Sequence, residues 1–232
     1  MTPTLTVSDE VRALTPGFTH VVVAAYGLVN GPSTDGTSAL LDDATRRLTA
    51  RLDGRAPHED PHMAAWREAY TAFGAKPSRT RNSAEALAKR ALSGAGLPRI
   101  NALVDVYNAI SVAHLVPVGG EDADHIDGGM RLVRATGDEE FPTAAGGESV
   151  IEHPEPGEVV WRDDSGVTCR RWNWRQGVRT RLTEESVSAL FLLESLSPMP
   201  VSDVAAAGAE LAELVEKFSP GARITVHTPV RG

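Results

Sequence analysis

Near residue 115 the chain passes from a run of helically spaced apolar residues to short strands, and that change limits the fold more than any single motif does. Phe18, Val21, Val22, Val23 and Tyr26 open the chain with a β-branched and aromatic run that reads as a buried strand over 17–29, closed by Gly31-Pro32-Ser33. Helical spacing then takes over. Leu40, Leu41, Ala44, Leu48 and Leu52 predict a helix over 37–52. Asp60 caps a second helix and Pro61 starts it, with Met63, Trp66, Tyr70 and Phe73 along one face and Gly74 as the left-handed stop. A third runs from Ser83 to Gly94, and a fourth from Asn101 to about His114 with Leu103, Tyr107, Ile110 and His114 as its stripe. Pro117, Gly119, Gly120, Gly128 and Gly129 then punctuate residues 115–130. Short strands follow over 130–135, 158–162 and 167–174, the last two joined by a hairpin turn at Asp163-Asp164-Ser165-Gly166. Ala189–Leu193 reads as strand or helix. Val204–Phe218 is an amphipathic helix with Ser202 as cap and Gly221 as stop, and Ile224-Thr225-Val226 closes as a strand. Helices first and antiparallel strands later predict an α+β fold, layered from sheets and helices. No long linker interrupts the chain, so residues 1–232 read as a single domain.

The 232 residues are 41% hydrophobic and 23% charged, an ordinary composition for a folded core. The longest apolar run, Val21 to Val29, falls far short of the roughly 20 residues of a membrane span. Met1-Thr2-Pro3-Thr4 opens no secretory signal, and Cys169, the one cysteine, has no internal disulfide partner. These features predict a cytoplasmic protein with no membrane partner. The net charge of −8 opposes non-specific coating of nucleic acid and gives no reason to expect DNA as a partner. The basic residues are unevenly placed, however. Arg162, Arg170, Arg171, Arg175, Arg179 and Arg181 lie within twenty residues, offset by Asp163 and Asp164, so this stretch carries +4 and the remainder −12.

Several catalytic signatures are missing. The chain has no phosphate-binding loop, no dinucleotide fingerprint and no Gly-x-Ser-x-Gly elbow, and Ser165 reads as a turn residue. No cofactor and no metal are expected. His58 and His62 straddle a helix start and need not share a face. Asp122, Asp124, His125 and Asp127 form an acidic loop that capping and turn formation explain more simply than a cation does. Cys169 reads as a packed strand residue and His114 as a hydrogen-bonded core histidine. Asn108, inside a helix between Tyr107 and Ile110, needs its amide satisfied if buried, either by the fold or by a ligand, and the sequence leaves both open.

The segment Arg170-Arg171-Trp172-Asn173-Trp174-Arg175-Gln176 is the unusual one. On a strand, Arg171, Asn173 and Arg175 share one face, and Arg170, Trp172, Trp174 and Gln176 the other. An amide between two guanidinium groups suits a carboxylate, an ester carbonyl or a phosphate. The tryptophans would anchor the strand or stack a base.

Phe73-Gly74-Ala75-Lys76-Pro77-Ser78, Leu97-Pro98-Arg99-Ile100-Asn101, Val104-Asp105-Val106-Tyr107-Asn108, Pro117-Val118-Gly119-Gly120 and the Arg170–Gln176 segment together resemble the free-standing B3/B4 domain family. That family is similar to the B3/B4 module of the bacterial phenylalanyl-tRNA synthetase β subunit, which hydrolyses tyrosine wrongly esterified to the phenylalanine tRNA. The resemblance covers roughly residues 70–200. It implies a layered α+β fold and a protein that binds the aminoacylated 3′ end of tRNA and hydrolyses a mischarged ester. The alternative is a module that binds an amino acid or tRNA without turnover. Aminoacyl-tRNA or a free amino acid, and a synthetase, are the partners the resemblance implies. Asn108 matches the helix asparagine of the module. Gly119 stands where the synthetase has a histidine, and no carboxylate matches its tyrosine-recognising glutamate, so tyrosine specificity does not carry over. In this reading Asn108 and the backbone N–H groups of Gly119 and Gly120 line the catalytic pocket. Arg171, Asn173 and Arg175 meet the ester carbonyl or terminal phosphates. Asp122 or Glu148 takes the α-ammonium, and Arg170, Arg179 and Arg181 hold the RNA end.

Overall fold

The structure is a computed structural model and describes residues 3–145 and 148–228. Met1 and Thr2, part of the stretch read for a secretory signal, lie outside the described residues. The elements run β1 (Leu5–Val7), α1 (Asp9–Leu14), β2 (Thr19–Tyr26), α2 (Asp35–Leu52), α3 (Pro61–Ala72), α4 (Ser83–Leu92), α5 (Ala102–His114) and β3 (Val118–Asp122). There follow β4 (Met130–Arg134), β5 (Phe141–Ala145), β6 (Glu148–Glu152), β7 (Val159–Arg162), β8 (Val167–Arg170), β9 (Arg175–Gln176), β10 (Ser188–Ser195), α6 (Val201–Phe218) and β11 (Arg223–His227). The fold is α+β, as expected. The helices expected from capping and spacing form where they should. Asp60 accepts from the His62 and Met63 amides to cap α3, Asn101 caps α5 through Val104 N, and Gly74 adopts its left-handed conformation. Ser202 does not cap α6; its hydroxyl bonds Asp203, and Pro200 occupies the cap position without a side-chain bond.

Strands β11-β2-β10-β3 form an antiparallel sheet, and β1-β4-β7-β8-β9 a second sheet in which only β1 and β4 run parallel. The first sheet separates two apolar layers. On one face Val21, Val23, Phe191 and Leu193 meet α6 and the Leu103, Val106 and Ile110 stripe of α5. On the other face Val22, Ala24, Leu190 and Leu192 meet Met130, Leu132, Val159 and Trp161 of the second sheet, together with α2, α3 and α4. The Ala189–Leu193 run is therefore strand: β10 is buried along its whole length between two layers, which is why its apolar residues show no alternation. α5 is wedged between helices and sheet and is buried on nearly every side. Asp105 fixes its entry, accepting from Thr37 Oγ1 at 2.9 Å and from the Ile100 amide at 3.0 Å.

The strand expected over 167–174 ends at Arg170. Residues 171–174 form a turn in which Arg171 and Trp172 both take left-handed backbone (φ 46° and 65°). Such positions cost about 1–3 kcal/mol each for residues with a side chain. Burial of Trp172 maintains them: its ring is fully inside, edge-on to Trp66 at 5.2 Å and to Phe18 at 5.1 Å. The strict alternation of faces expected along Arg170–Gln176 is thereby lost.

Candidate functional site

Between β3, β10, the 171–176 turn and the faces of α4 and α5 lies a cavity of about 330 Å³. Residues that pair opposite one another across a ladder share a face. Gly119 sits opposite Leu192 and Glu121 opposite Leu190, so both point to the cavity side of the sheet, as does Glu194. Apolar walls come from Leu87, Pro98, Ile100, Val104, Val118, Met130 and Leu192. Trp161, Trp172 and Trp174 add aromatic surface.

Asn108 lines this cavity from α5 with only 6% of its surface exposed, and no described side chain or backbone group hydrogen-bonds its amide. Two polar atoms of other lining residues, Ser83 Oγ and Arg175 Nε, are themselves buried without a partner. Arg175 is held at its far end by Glu152 and lies over the Trp174 ring at 4.7 Å. Asn173 also lines the cavity, but its amide is engaged at both ends: it accepts from Tyr70 Oη at 2.9 Å and donates to Glu194 at 3.0 Å.

The two buried carboxyls of the cavity were not foreseen, because a single charged letter in an apolar strand gives no period to read. Glu194 accepts from the indoles of Trp161 (2.9 Å) and Trp172 (3.0 Å) and from Asn173. Burial pushes its pKa up to about 7 against the pull of those donors. Glu121 receives the Gln176 amide at 2.7 Å, which also bonds the Gly120 carbonyl, and has the Thr180 hydroxyl beside it. Burial pushes its pKa up to about 8.

The remaining expected site residues lie elsewhere. Gly120 faces the other side of the sheet, where an added Cβ would meet Tyr107 Cε1 at 2.8 Å and Leu182 Cδ1 at 2.9 Å, whereas one at Gly119 would meet nothing within 4 Å. Arg171 turns away to Thr80 (2.7 Å) and Glu158, into a second, more polar hollow beside Lys76 and Arg79, while its guanidinium covers Trp174 at 4.6 Å. Arg170 is buried in ion pairs with Glu158 and Glu152 and is not available to RNA. Arg179 is bound bidentately by buried Asp163. Arg181 is exposed, its backbone bridged to Glu121. Asp122 is consumed by Ser186 (2.6 Å) and the Asp124 amide, and Glu148 is exposed on β6; neither lines the cavity. The left-handed turn is the cause for Arg171, parting it from Asn173 and Arg175, with which a strand would have grouped it, whereas Arg170, still on β8, is drawn inward by Glu158 and Glu152.

Burial also pushes the Cys169 thiol up, so it stays protonated at neutral pH. His114 bonds Glu210 at 2.6 Å, and His62 has both ring nitrogens engaged, by the Leu115 carbonyl, the Trp66 indole and the Leu196 amide. Among the described residues no three His, Cys, Asp or Glu side chains gather as a metal site, and no helix is long and apolar enough to cross a membrane.

An α+β protein with a pocket floored by a glycine strand is the class defined so far. The family model of the B3/4 domain matches residues 65–218, and the chain belongs to that family. No curated protein matches it. Among solved structures, it is similar to an N-terminal fragment of the phenylalanyl-tRNA synthetase β subunit from Pyrococcus horikoshii, with 13% identity and a TM-score of 0.47. The match covers 95% of this chain and 50% of that one, so the chain spans about half the fragment's length.

Proposed function

We propose that this B3/4 protein receives the aminoacylated 3′ end of a tRNA and hydrolyses the ester of a mischarged amino acid. The observation that supports it best is the unpartnered Asn108 amide, nine-tenths buried and lining a cavity with room for an amino-acid side chain. Its polar atoms open onto the cavity and make no bond within the fold, so a bound carbonyl can take the amide donor without breaking an internal hydrogen bond. An aminoacyl ester is already activated, so positioning and electrostatics do most of the work. Asn108 Nδ2 and Arg175 Nε are the donors for the carbonyl as it gains charge. Gly119 leaves the floor open. Glu194, poised near 7, keeps one lone pair on Oε2 after its three donors are counted, and that lone pair is the acceptor for a proton from the attacking water.

The test is deacylation across a panel of aminoacyl-tRNAs, with Asn108→Ala beside the parent. At least one substrate should be cleaved faster than it hydrolyses spontaneously, and the variant should lose that excess while keeping its melting temperature. Spontaneous rates throughout would refute hydrolysis.

The second reading, binding without turnover, is favoured by the arginines. Arg170 and Arg179 are consumed by internal carboxylates, which leaves fewer free cations for RNA than the sequence suggested. Binding of a free amino acid with no salt-dependent binding of uncharged tRNA would support it.

A further inference from the structure

We propose that Glu121 is the residue that recognises the ligand's α-ammonium group, so that the cavity selects ligands with a free primary amine. This rests on the reading of the cavity as an aminoacyl site and names what that site demands of its ligand.

An aminoacyl group brings three polar features: the ester carbonyl, the ammonium and the link to the ribose. The ammonium has to find an acceptor, because an unpaired charge in an apolar hollow is prohibitively expensive. Glu121 and Glu194 are the carboxyls that line the cavity. Glu194 already accepts from two indoles and an amide, and its one open lone pair is the acceptor for the attacking water's proton, so it is not the partner of the ammonium. Glu121 has the Gln176 amide as its hydrogen-bond donor with the Thr180 hydroxyl beside it, both neutral, and lies within hydrogen-bonding reach of no lysine, arginine or histidine side chain among the described residues. No cation among the described residues answers its charge. Asp122, the neighbour expected for this role, is tied to Ser186 and faces away from the cavity.

The other titratable groups around Glu121 leave it in this state. Tyr107 of α5 and Cys169 of β8 are both pushed up by burial and stay neutral. Arg175 of β9 is held by Glu152, and Glu194 of β10 by its cage. Arg179 acts from a distance and is matched to Asp163. Near neutral pH the empty site therefore keeps a proton on Glu121, in accord with its raised pKa, and an incoming ammonium displaces that proton to solvent.

The probes are L-amino acid amides, which keep the ammonium and lack the carboxylate, each paired with its N-acetyl counterpart. Binding is read from the cavity tryptophans' fluorescence and by calorimetry at pH 7 in buffers of different ionisation enthalpy. At least one amide should bind at least about tenfold more tightly than its acetylated form, releasing about one proton. Glu121→Gln should lose roughly tenfold in affinity for that amide and lose the proton release. Gln keeps the shape of the protonated carboxyl, and the variant's unchanged melting temperature at pH 6 guards against misfolding. Equal binding of amine and acetyl forms, or a Glu121→Gln variant indistinguishable from the parent, would overturn the assignment and leave the cavity a ligand site. If an aminoacyl-tRNA binds but no amide does, the assignment also falls. If neither binds, the reading of the cavity itself fails.

Discussion

Gly119 and Gly120 are adjacent in β3 and should respond oppositely to the same methyl group. At Gly120 the new Cβ falls 2.8 Å from the Tyr107 ring and 2.9 Å from Leu182, both packed in the α5–α6 layer, with Tyr107 against Phe191 at 6.0 Å. Overpacking of this kind costs about 1–3 kcal/mol. Loss of glycine's freedom in the unfolded chain returns about 0.4–1 kcal/mol. Gly120→Ala should therefore destabilise by about 1–2 kcal/mol net, a fall of roughly 2–8 °C in melting temperature for a chain of this size. At Gly119 the Cβ meets nothing within 4 Å and the backbone is ordinary strand, so Gly119→Ala should be neutral or stabilising by up to about 1 kcal/mol. Gly119→Leu then separates stability from function. Its side chain enters the 330 Å³ cavity beside Asn108, so it should abolish aminoacyl binding with the fold intact. Urea and thermal unfolding measure the first pair, and the deacylation panel the last. A Gly119→Ala variant as unstable as Gly120→Ala would refute the open floor, and a fully active Gly119→Leu would remove the cavity from the mechanism.

Trp172→Ala should cost about 3–5 kcal/mol from the lost core ring and release the left-handed turn, seen by urea unfolding and faster proteolysis near residue 171. The folded chain holds the Glu121 proton to about pH 8 against an ordinary 4.5, so its contribution is full below 4.5 and is lost as pH rises towards 8. Glu121→Gln should flatten that decline in a pH series of urea midpoints, leaving the smaller one that Glu194 causes up to about 7. Glu210 moves the other way: its bond from Arg47, with His114 alongside, lowers it to about 2, so it stabilises above 4.5 and that support is lost as pH falls through 2. Glu210→Gln should be less stable than the parent at neutral pH and show a shallower acid limb below pH 4.5 in the same series.

Helices were readable because their signals are local: Asp60-Pro61, Asn101 and Gly74 act within a turn of themselves. The strand β3 was hidden because its glycines look like loop punctuation, yet each is there for a reason of tertiary structure, one to keep a floor clear and one to admit Tyr107. The pairing of Phe141–Ala145 with Glu148–Glu152 gave no apolar alternation to detect. For the site, Asn108, Gly119, Asn173 and Arg175 were legible as a set and do line one cavity. Arg171 was misplaced because parity along a strand was assumed through a turn whose left-handed backbone depends on where Trp172 is buried, and Arg170 because its partners Glu152 and Glu158 are distant in sequence. Glu121 was invisible for a related reason. Its letter differs from that of Asp122 beside it only in which face of β3 it occupies.

Local rules are broken repeatedly around this cavity. A strand carries two consecutive glycines, two non-glycine residues take left-handed backbone, and two carboxyls sit where an apolar side chain would be cheaper. Each violation destabilises the fold on its own, and chains tolerate such concentrations where a site requires them. The compensation is asymmetric. Trp172 repays the strained turn with a buried ring and gives Glu194 an indole donor, so that part of the wall is satisfied as it stands. Glu121, Asn108, Ser83 Oγ and Arg175 Nε are not. A wall that is half satisfied and half waiting is what a preorganised ligand pocket requires: the finished half holds the geometry, and the unfinished half supplies the binding energy.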